Sequence, residues 1–386
     1  MNVLLLHAIP HRLPDRIRKA PEIEHLSVLV EPEHAHRYDA SVDVELVSNT
    51  RDPVRARDGA LAVLRRRRID HVISPFEYTL PAAGYLRDVL GLPGIDFSTT
   101  TRFTHKNVMK SVLAAAGLPV APFHIGYTRD DIATAAAEFG WPLVVKPAVG
   151  AGCIDVFPVH GPDDLTTVPP GPLVIEKLLD VTAEYHCEGV VHSGKVRFTA
   201  VSRYLQPILR RREQPGLSGS YCLPPEHPAR AQVARLHDEA VQALGLDSGV
   251  THIEVLDTPQ GMVIGEITCR MGGGGITQNV YHQYGIDLWR EWLLLSLGMD
   301  PELPVGPRPG ICAYYQLPVR TGPYIDAVDT AMLEAMESVL TVETHLRPGD
   351  IVPARRSLSF TPATVYLRVA DEEELADQVR RLDELS

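Results

Sequence analysis

The sequence predicts an α/β protein of several lobes: a small parallel-sheet domain, a larger mixed domain and a β-rich C-terminal lobe. Three observations point there. Over the first hundred residues short apolar runs alternate with helical stretches. The middle of the chain carries two strand–loop–strand units of different composition, and a Pro-rich stretch, LPVGPRPG, separates them from a last series of short strands. At 386 residues the chain is also longer than one hydrophobic core usually grows, which favours two or three packed units.

Taken in order, the apolar runs Val3–Leu6, Leu26–Val30, Val42–Val47 and His71–Ser74, with a helix over Ala56–Arg67, give a βαβ pattern and a domain over residues 1–103. No GxGxxG follows the first strand, which argues against a dinucleotide site. A second domain is expected over 104–302. Thr104 is expected to open a helix that runs to Ala116 and stops at Gly117, with Pro119 beyond it. Thr128 and Asp131 form an acidic capping box for the next helix, which ends near Gly140. The segment WPLVVKPAVGAGCIDVFPV then reads as strand, small-residue loop and strand, and residues from about 119 to 173 as a lid. A strand over Leu173–Leu179, a hairpin around His192–Lys195, a helix over Pro228–Leu244 and a hairpin over Thr251–Thr268 follow. Residues 310–386, with a helix over Glu372–Leu385, form a separate lobe.

Composition excludes several classes. With 45% hydrophobic and 22% charged residues the chain is that of an ordinary globular protein, and no run approaches the ~20 apolar residues of a membrane span. A formal charge of −12 argues against nucleic acid, whose phosphates call for a basic stripe. Arg65–Arg68 and Arg210–Arg212 therefore read as solvated faces. Five scattered cysteines without CxxC spacing indicate neither a disulfide framework nor a zinc site, and with no signal segment the expectation is a cytoplasmic protein. Only six lysines occur, so arginine has replaced lysine nearly everywhere; a lysine retained in such a chain suggests chemistry that a guanidinium does not supply.

Two places carry that chemistry. The loop Ala148–Cys153 has almost no side chains, so its backbone N–H groups can approach a polyphosphate, and Lys146 just before it adds a point charge. It is not a P-loop, because the lysine precedes the glycines. In the hairpin, a three-residue turn Pro259-Gln260-Gly261 sets Glu254 directly opposite Glu266, with Ile253 and Ile267 on one face and His252, Glu254, Glu266, Thr268 and Arg270 on the other. Opposed carboxylates repel and call for a cation; oxygen ligands so placed suit Mg²⁺, with Mn²⁺ as a substitute.

In this order the motifs resemble the ATP-grasp superfamily, and within it the carboxylate–amine ligases such as the bacterial L-amino-acid ligases. RIDHVISPFEYTLPAAGYLRDVLGLPG is similar to the end of the family's N-terminal domain, HKNVMKSVLAAAGLPVAP to its first lysine motif and VVKPAVGAGC to its second lysine with the phosphate loop. VIEKLLDVTAEY resembles the adenine hinge, and HIEV…GEITCRMGGGG the metal carboxylates with the following arginine. The resemblance implies an ATP-grasp fold and ATP held at Lys106, Lys146, Gly150, Gly152 and Cys153. It implies adenine read along Glu176, Lys177 and Leu178, ribose hydroxyls at Glu184, and metal on Glu254, Glu266 and Thr268. Arg270 lies near the reacting groups, and Glu77, Arg270 and Gly273 near the substrate. Lys110, one turn after Lys106, reads as a surface residue. Asp155 and Cys153 depart from the family's glycine and serine, and Thr268 from its asparagine.

The activity so implied is ATP-dependent activation of a small carboxylate as an acyl phosphate, which an amine then converts to an amide, with ADP and phosphate released. Arg270 and the N–H groups of Gly272–Gly275 would stabilise the oxyanion. His282 and Glu77 are candidates for a general base, the loop Gln214–Pro225 for shaping the substrate pocket, and a homodimer stays open. Two alternatives are a bicarbonate-activating carboxylase of the same superfamily and a non-catalytic nucleotide-binding regulator.

Overall fold

The computed structural model describes all residues except 8–14, 39–41, 213–216, 304–305, 326, 358–359 and 386. The chain begins with β1 (Asn2–Leu6), α1 (Asp15–Arg18), β2 (His25–Val30), β3 (Asp43–Leu46), α2 (Pro53–Leu64) and β4 (His71–Ile73). The four strands are parallel in the order β3-β2-β1-β4, with Val3 beside Leu26 and His71. The runs are apolar at successive positions because both faces are covered. Leu4, Leu6 and Leu29 pack with Ala56, Ala60 and Leu86, whereas Val3, Leu5 and Val28 face Trp292 and Leu293. Asp52 caps α2 by accepting from Val54 and Arg55, with Pro53 in the first turn.

Next come α3 (Leu80–Leu90), α4 (Phe97–Thr104) and α5 (Lys106–Ala115). Thr104 closes one helix rather than opening another, which corrects the sequence expectation. Its hydroxyl donates back to the Thr100 carbonyl at 2.9 Å, so it cannot cap, and the chain turns at His105 (φ −99°, ψ 101°). That bend aims Lys106, at the head of α5, toward the lid: its backbone N–H donates to Ala148 O at 2.7 Å.

The segment expected to be a lid, hereafter the lid, is an antiparallel sheet in the order β5-β8-β6-β7, made of β5 (Phe123–Gly126), β6 (Leu143–Pro147), β7 (Phe157–Val159) and β8 (Leu173–Lys177), with α6 (Arg129–Phe139) on it. Thr128 and Asp131 form the expected capping box. Because β8 lies inside this sheet, the unit runs to Lys177, past the limit near 173 read from the sequence. It has its own small core of Ile132, Leu143, Val145 and Ile175. Val120 bridges to Ile264 where the lid leaves the body.

The body is one eight-stranded sheet. After β9 (Ala183–His192), β10 (Lys195–Tyr204) and β11 (Gly219–Cys222) come α7 (Ala229–Leu244), β12 (Gly249–Thr258) and β13 (Gly261–Thr268). Then follow α8 (Ile276–Tyr284), α9 (Leu288–Ser296), β14 (Ile311–Gln316), the short β15 (Gly322–Pro323), α10 (Thr330–Glu334), β16 (Val339–Thr344), the short β17 (Ile351–Val352), β18 (Ala363–Val369) and α11 (Glu372–Glu384). The order is β13-β12-β9-β10-β11-β14-β18-β16. Strands from the C-terminal segment therefore continue this sheet, β14 joining β11 with Tyr314 beside Ser220, instead of forming a separate sheet after the Pro-rich linker. Residues of α7, α11 and α5 bury one face of the sheet, and α8, α9 and the parallel sheet bury the other. Each aliphatic side chain so enclosed contributes about 1.5–3 kcal/mol. Among the described residues no helix is long and apolar enough to cross a membrane.

Candidate active site

A cavity of about 450 Å³ opens between the lid and the β12–β13 hairpin. Its walls include Lys106, Lys146, Gly150, Gly152, Cys153, Glu176, Lys177, Leu178, Glu184, Glu254 and Glu266, so eleven residues read from separate motifs meet in one place. Lys146 leaves the end of β6 and its Nζ lies 2.6 Å from Glu176 Oε2. Lys106 Nζ donates to Gly150 O at 2.7 Å and pairs with Glu266 Oε1 at 2.7 Å, tying the small-residue loop to the carboxylate hairpin. Lys110 is not a surface residue: it is fully buried, its Nζ 2.5 Å from Glu176 Oε1 and 3.2 Å from Gly265 O. The i, i+4 spacing puts both lysines on the same inward face of α5.

Glu176 is thus a carboxylate between two ammonium groups. Burial alone would push its pKa up; Lys110 and Lys146 outweigh that and hold it down at about 2. Burial likewise opposes the charge on Lys146, but Glu176 and Glu266 raise its pKa above the usual lysine value. On the expected adenine edge, the N–H groups of Lys177 and Leu178 donate to Pro122 and Pro142 carbonyls at 3.0 and 3.2 Å, and Lys177 Nζ donates to Phe139 O at 2.6 Å.

The loop between β6 and β7 turns through left-handed positions at Gly152 (φ 66°), Cys153 (φ 54°) and Asp155 (φ 57°). Asp155 thus occupies a conformation that glycine adopts most readily and that aspartate tolerates. The Tyr78 hydroxyl accepts from Ala151 N at 3.3 Å, and Asp155 pairs with Arg355 at 2.5 Å. A Cβ at position 152 would sit 2.6 Å from Ser357 Oγ, so the loop lies against the C-terminal segment and a side chain there would have to displace that hydroxyl.

In the hairpin Glu254 does pair with Glu266, as do Ile253 with Ile267 and His252 with Thr268. The register arises differently from the expectation. The turn has two residues, Thr258 pairing with Gly261, and a bulge at Gly265 restores the one-residue difference. Glu254 Oε1 accepts from Tyr204 Oη at 3.2 Å and lies 3.5 Å from His252 Nε2. Burial would raise the Glu254 pKa, but His252 and Tyr204 outweigh it and lower it. Glu184 goes the other way, pushed up to about 8 by burial and by Glu254, although it accepts from Ile208 N at 2.7 Å.

This donor set fits a hard divalent cation: two carboxylates face each other across adjacent strands, one bonded by an ammonium and the other by a hydroxyl, each through a single oxygen. Thr268, the expected third ligand, instead donates its hydroxyl to Glu77 Oε2 at 2.9 Å. Arg270 Nε donates to the same oxygen at 2.6 Å and Arg270 Nη1 to Met271 O at 2.6 Å. Glu77, from the turn before α3, is 3% exposed, and its other oxygen has no hydrogen-bond partner among the described residues. Gly273 follows, and no atom of the described residues lies within 4 Å of where its Cβ would stand. His282, on α8, makes its contacts with Gln278 and Tyr366. Residues Gln214–Gly216 of the expected substrate loop lie outside the described residues; Ser220, further along it, bonds His186 Nε2 at 2.9 Å.

Sequence reasoning missed His186 and Glu188. With Glu184 they occupy alternate positions of β9 and share one face, while Tyr185 and Cys187 enter the apolar core on the other. That period-two polar stripe was the signal. Glu188 Oε1 lies 2.5 Å from His252 Nδ1 and 3.2 Å from His186 Nδ1, and its Oε2 accepts from Gly272 N at 3.0 Å. Burial opposes the charge on His252, but Glu188 outweighs it and raises its pKa to about 10. His186, Glu188 and His252 also place three ligand atoms within 4.8 Å. With its pKa raised, the His252 ring is a cation against the Glu188 carboxylate and offsets that carboxylate's charge.

No family model matches the chain. Over 364 residues it is 31% identical to the L-arginine-specific L-amino acid ligase of Bacillus subtilis, covering 91% of this chain and 87% of that protein. An L-amino acid ligase from Bacillus licheniformis superposes with a TM-score of 0.77 at 22% identity, covering 99% of this chain and 97% of that one. A carboxyaminoimidazole ribonucleotide synthase from Aspergillus clavatus, solved with ATP, superposes with a TM-score of 0.75 at 16% identity over 99% and 97% of the two chains. At these structural identities the likeness shows the fold.

Proposed function

This chain belongs to the L-amino acid ligase family of ATP-grasp enzymes, and from that premise we propose that it joins the carboxylate of an L-amino acid to the amine of a second amino acid. It is an ADP-forming ligase that makes an amide bond. The observation that carries the nucleotide part is one cavity lined by Lys106 and Lys146 beside the small-residue loop and by Glu254 and Glu266, with Lys106 paired to Glu266 at 2.7 Å; the amino-acid part is supported by the 31% identity to an L-amino acid ligase.

In this reading the substrate carboxylate oxygen bonds to the γ-phosphorus of ATP and the bond to the bridging oxygen breaks, leaving ADP and an acyl phosphate. The amine nitrogen then bonds to the acyl carbon, the acyl C–O bond breaks, and phosphate leaves as the nitrogen loses a proton. Lys106 and Lys146 hold phosphate oxygens, and the N–H groups of Gly150–Cys153 line them. Glu254 and Glu266 would hold Mg²⁺, which supplies charge neutralisation on the phosphates when bound. Glu184 accepts from the ribose, and Glu176–Leu178 border the base. Arg270, oriented by Glu77, faces the acyl group with Gly273; donors fixed there stabilise the oxyanion of the second step.

The test is ATP-dependent phosphate release across a panel of L-amino acids, arginine included, singly and in pairs, with the product analysed by mass. Pair-dependent release with a dipeptide mass is expected. Release driven by bicarbonate alone, or no substrate-stimulated ADP formation at all, overturns the reading.

A further inference from the structure

We propose that Glu188 is a positioning residue for the amide-forming step: its carboxylate clamps the backbone turn that follows Arg270 and so sets the donors facing the acyl group. The inference rests on the ligase reading above and adds a residue to it.

Two strands and the turn after Arg270 meet at this side chain. Glu188 projects from β9, its direct cross-strand neighbour is His252 on β12, and its Oε2 reaches past both to accept from Gly272 N at 3.0 Å. It is 0% exposed. Burying a carboxylate there is costly unless every oxygen is engaged, and both are: Oε1 meets His252 Nδ1 at 2.5 Å and His186 Nδ1 at 3.2 Å. A packed aliphatic residue would serve stability as well as such a pair, so its presence calls for a role.

The turn supplies one. Arg270 is tied at its guanidinium to Glu77 and, through Nη1, to Met271 O. The next peptide, at Gly272, is fixed from the opposite side by Glu188. A Cβ on Gly272 would lie 2.8 Å from His252 Nδ1 and 3.1 Å from Glu188 Oε1, so the backbone sits directly on the imidazole–carboxylate pair. Gly273, one residue on, is open. Glu188 therefore determines where the N–H groups after Arg270 point, although it lies behind the turn. Holding such donors in place before the reaction is how an oxyanion is stabilised without reorganisation.

Three variants separate the clamp from the charge. In Glu188→Gln the amide oxygen still accepts from Gly272 N while the amide nitrogen donates to a neutral His252. In Glu188→Asp the charge stays beside His252, its cross-strand neighbour, but the shorter arm withdraws from Gly272. Glu188→Ala removes both. With ATP and both amino acids in rapid-quench experiments, Glu188→Ala and Glu188→Asp are expected to release one equivalent of ADP in a fast first turnover. A steady state slowed about tenfold to a hundredfold follows, because the second step falls behind the first. Glu188→Gln is expected to stay within about threefold of the wild-type steady state. Loss of the first-turnover ADP in parallel with the steady state, a Gln variant as slow as the Asp variant, or unchanged kinetics in the Asp and Ala variants would each overturn the proposal. Failure of the wild type to form a dipeptide would instead defeat the ligase reading, so the two failures are distinguishable.

Discussion

The two walls of the cavity hold buried charge of opposite surplus. On the lid side Lys110 and Lys146 share the single carboxylate of Glu176; on the hairpin side Glu188 and Glu254 flank one strongly basic imidazole, His252, with Glu184 near Glu254. In the function proposed above, phosphate anions would complete the first cluster and a metal cation the second. The contrast also shows which partner does what. Within each cluster one member faces the cavity and another supports it from behind, Lys146 before Lys110 and Glu254 before Glu188. Front residues should govern turnover and rear residues stability or geometry.

The strongest test of that division is to remove each lysine in turn. Lys146→Ala is expected to lower turnover at saturating ATP at least about a hundredfold, while Lys110 continues to neutralise Glu176 and the unfolding midpoint moves little. Lys110→Ala opens a space behind a buried carboxylate and should cost on the order of 3 kcal/mol by urea unfolding. If Lys146→Ala turns over like the wild type, or unfolds as readily as Lys110→Ala, the front-and-rear distinction fails.

On the hairpin wall, Glu254→Gln and Glu266→Gln should each lower turnover at least about tenfold and move the Mg²⁺ titration to higher concentration. Without metal the two should differ. Glu254→Gln removes the charge that pushes Glu184 up, whereas Glu266→Gln breaks the pair with Lys106. Full activity in either variant at limiting Mg²⁺ would remove that residue from the metal site.

A smaller effect follows from Glu184 itself. Its folded pKa of about 8 lies above the usual value of a glutamate, so between the two the native state holds a proton that the unfolded chain has lost. Stability from this group is complete below the unfolded value and declines as pH rises through about 8. The difference in unfolding free energy between wild type and Glu184→Gln should therefore shift in favour of the variant between pH 6 and pH 9, by a few kcal/mol at most. Parallel stability–pH curves for the two proteins would show that Glu184 is ionised throughout.

How much of this was legible in the sequence differs between the walls. The hairpin register could be read because a one-residue slip would bury a carboxylate among Ile253 and Ile267, and that penalty is encoded in local alternation. Even so, a two-residue turn and the Gly265 bulge replaced the expected three-residue turn, two differences that cancel. The motif order likewise located the eleven cavity residues. Lys110 was misread because its partner Glu176 is 66 residues away, and no local pattern announces a buried ion pair across two units. Glu188 was visible as part of a polar stripe on β9, but its contact with Gly272 spans 84 residues. The continuity of the body sheet into the C-terminal segment rests on the β11–β14 pairing, a non-local choice that helps satisfy backbone donors and acceptors without leaving a side-chain signature.

The smallest effect concerns the contact between the lid and the C-terminal segment. Asp155 and Arg355 pair across 200 residues of sequence, beside the close approach of Gly152 to Ser357, so the small-residue loop is tethered at its far end as well as at Lys106. The tethers differ in kind: Lys106 is buried, whereas the Arg355 side chain is 76% exposed and screened by solvent and salt. Arg355→Ala should leave the unfolding midpoint unchanged, because an exposed pair contributes little to the folded state as a whole. It should still change local opening, since the loop has few side chains to hold it. Hydrogen exchange at Gly150–Cys153 without nucleotide is expected to rise severalfold in the variant and to fall again, in variant and wild type alike, when ATP and Mg²⁺ are added. Equal protection of these four residues with and without ATP and Mg²⁺ would mean that the lid does not respond to nucleotide, and the tether would then be only a surface contact.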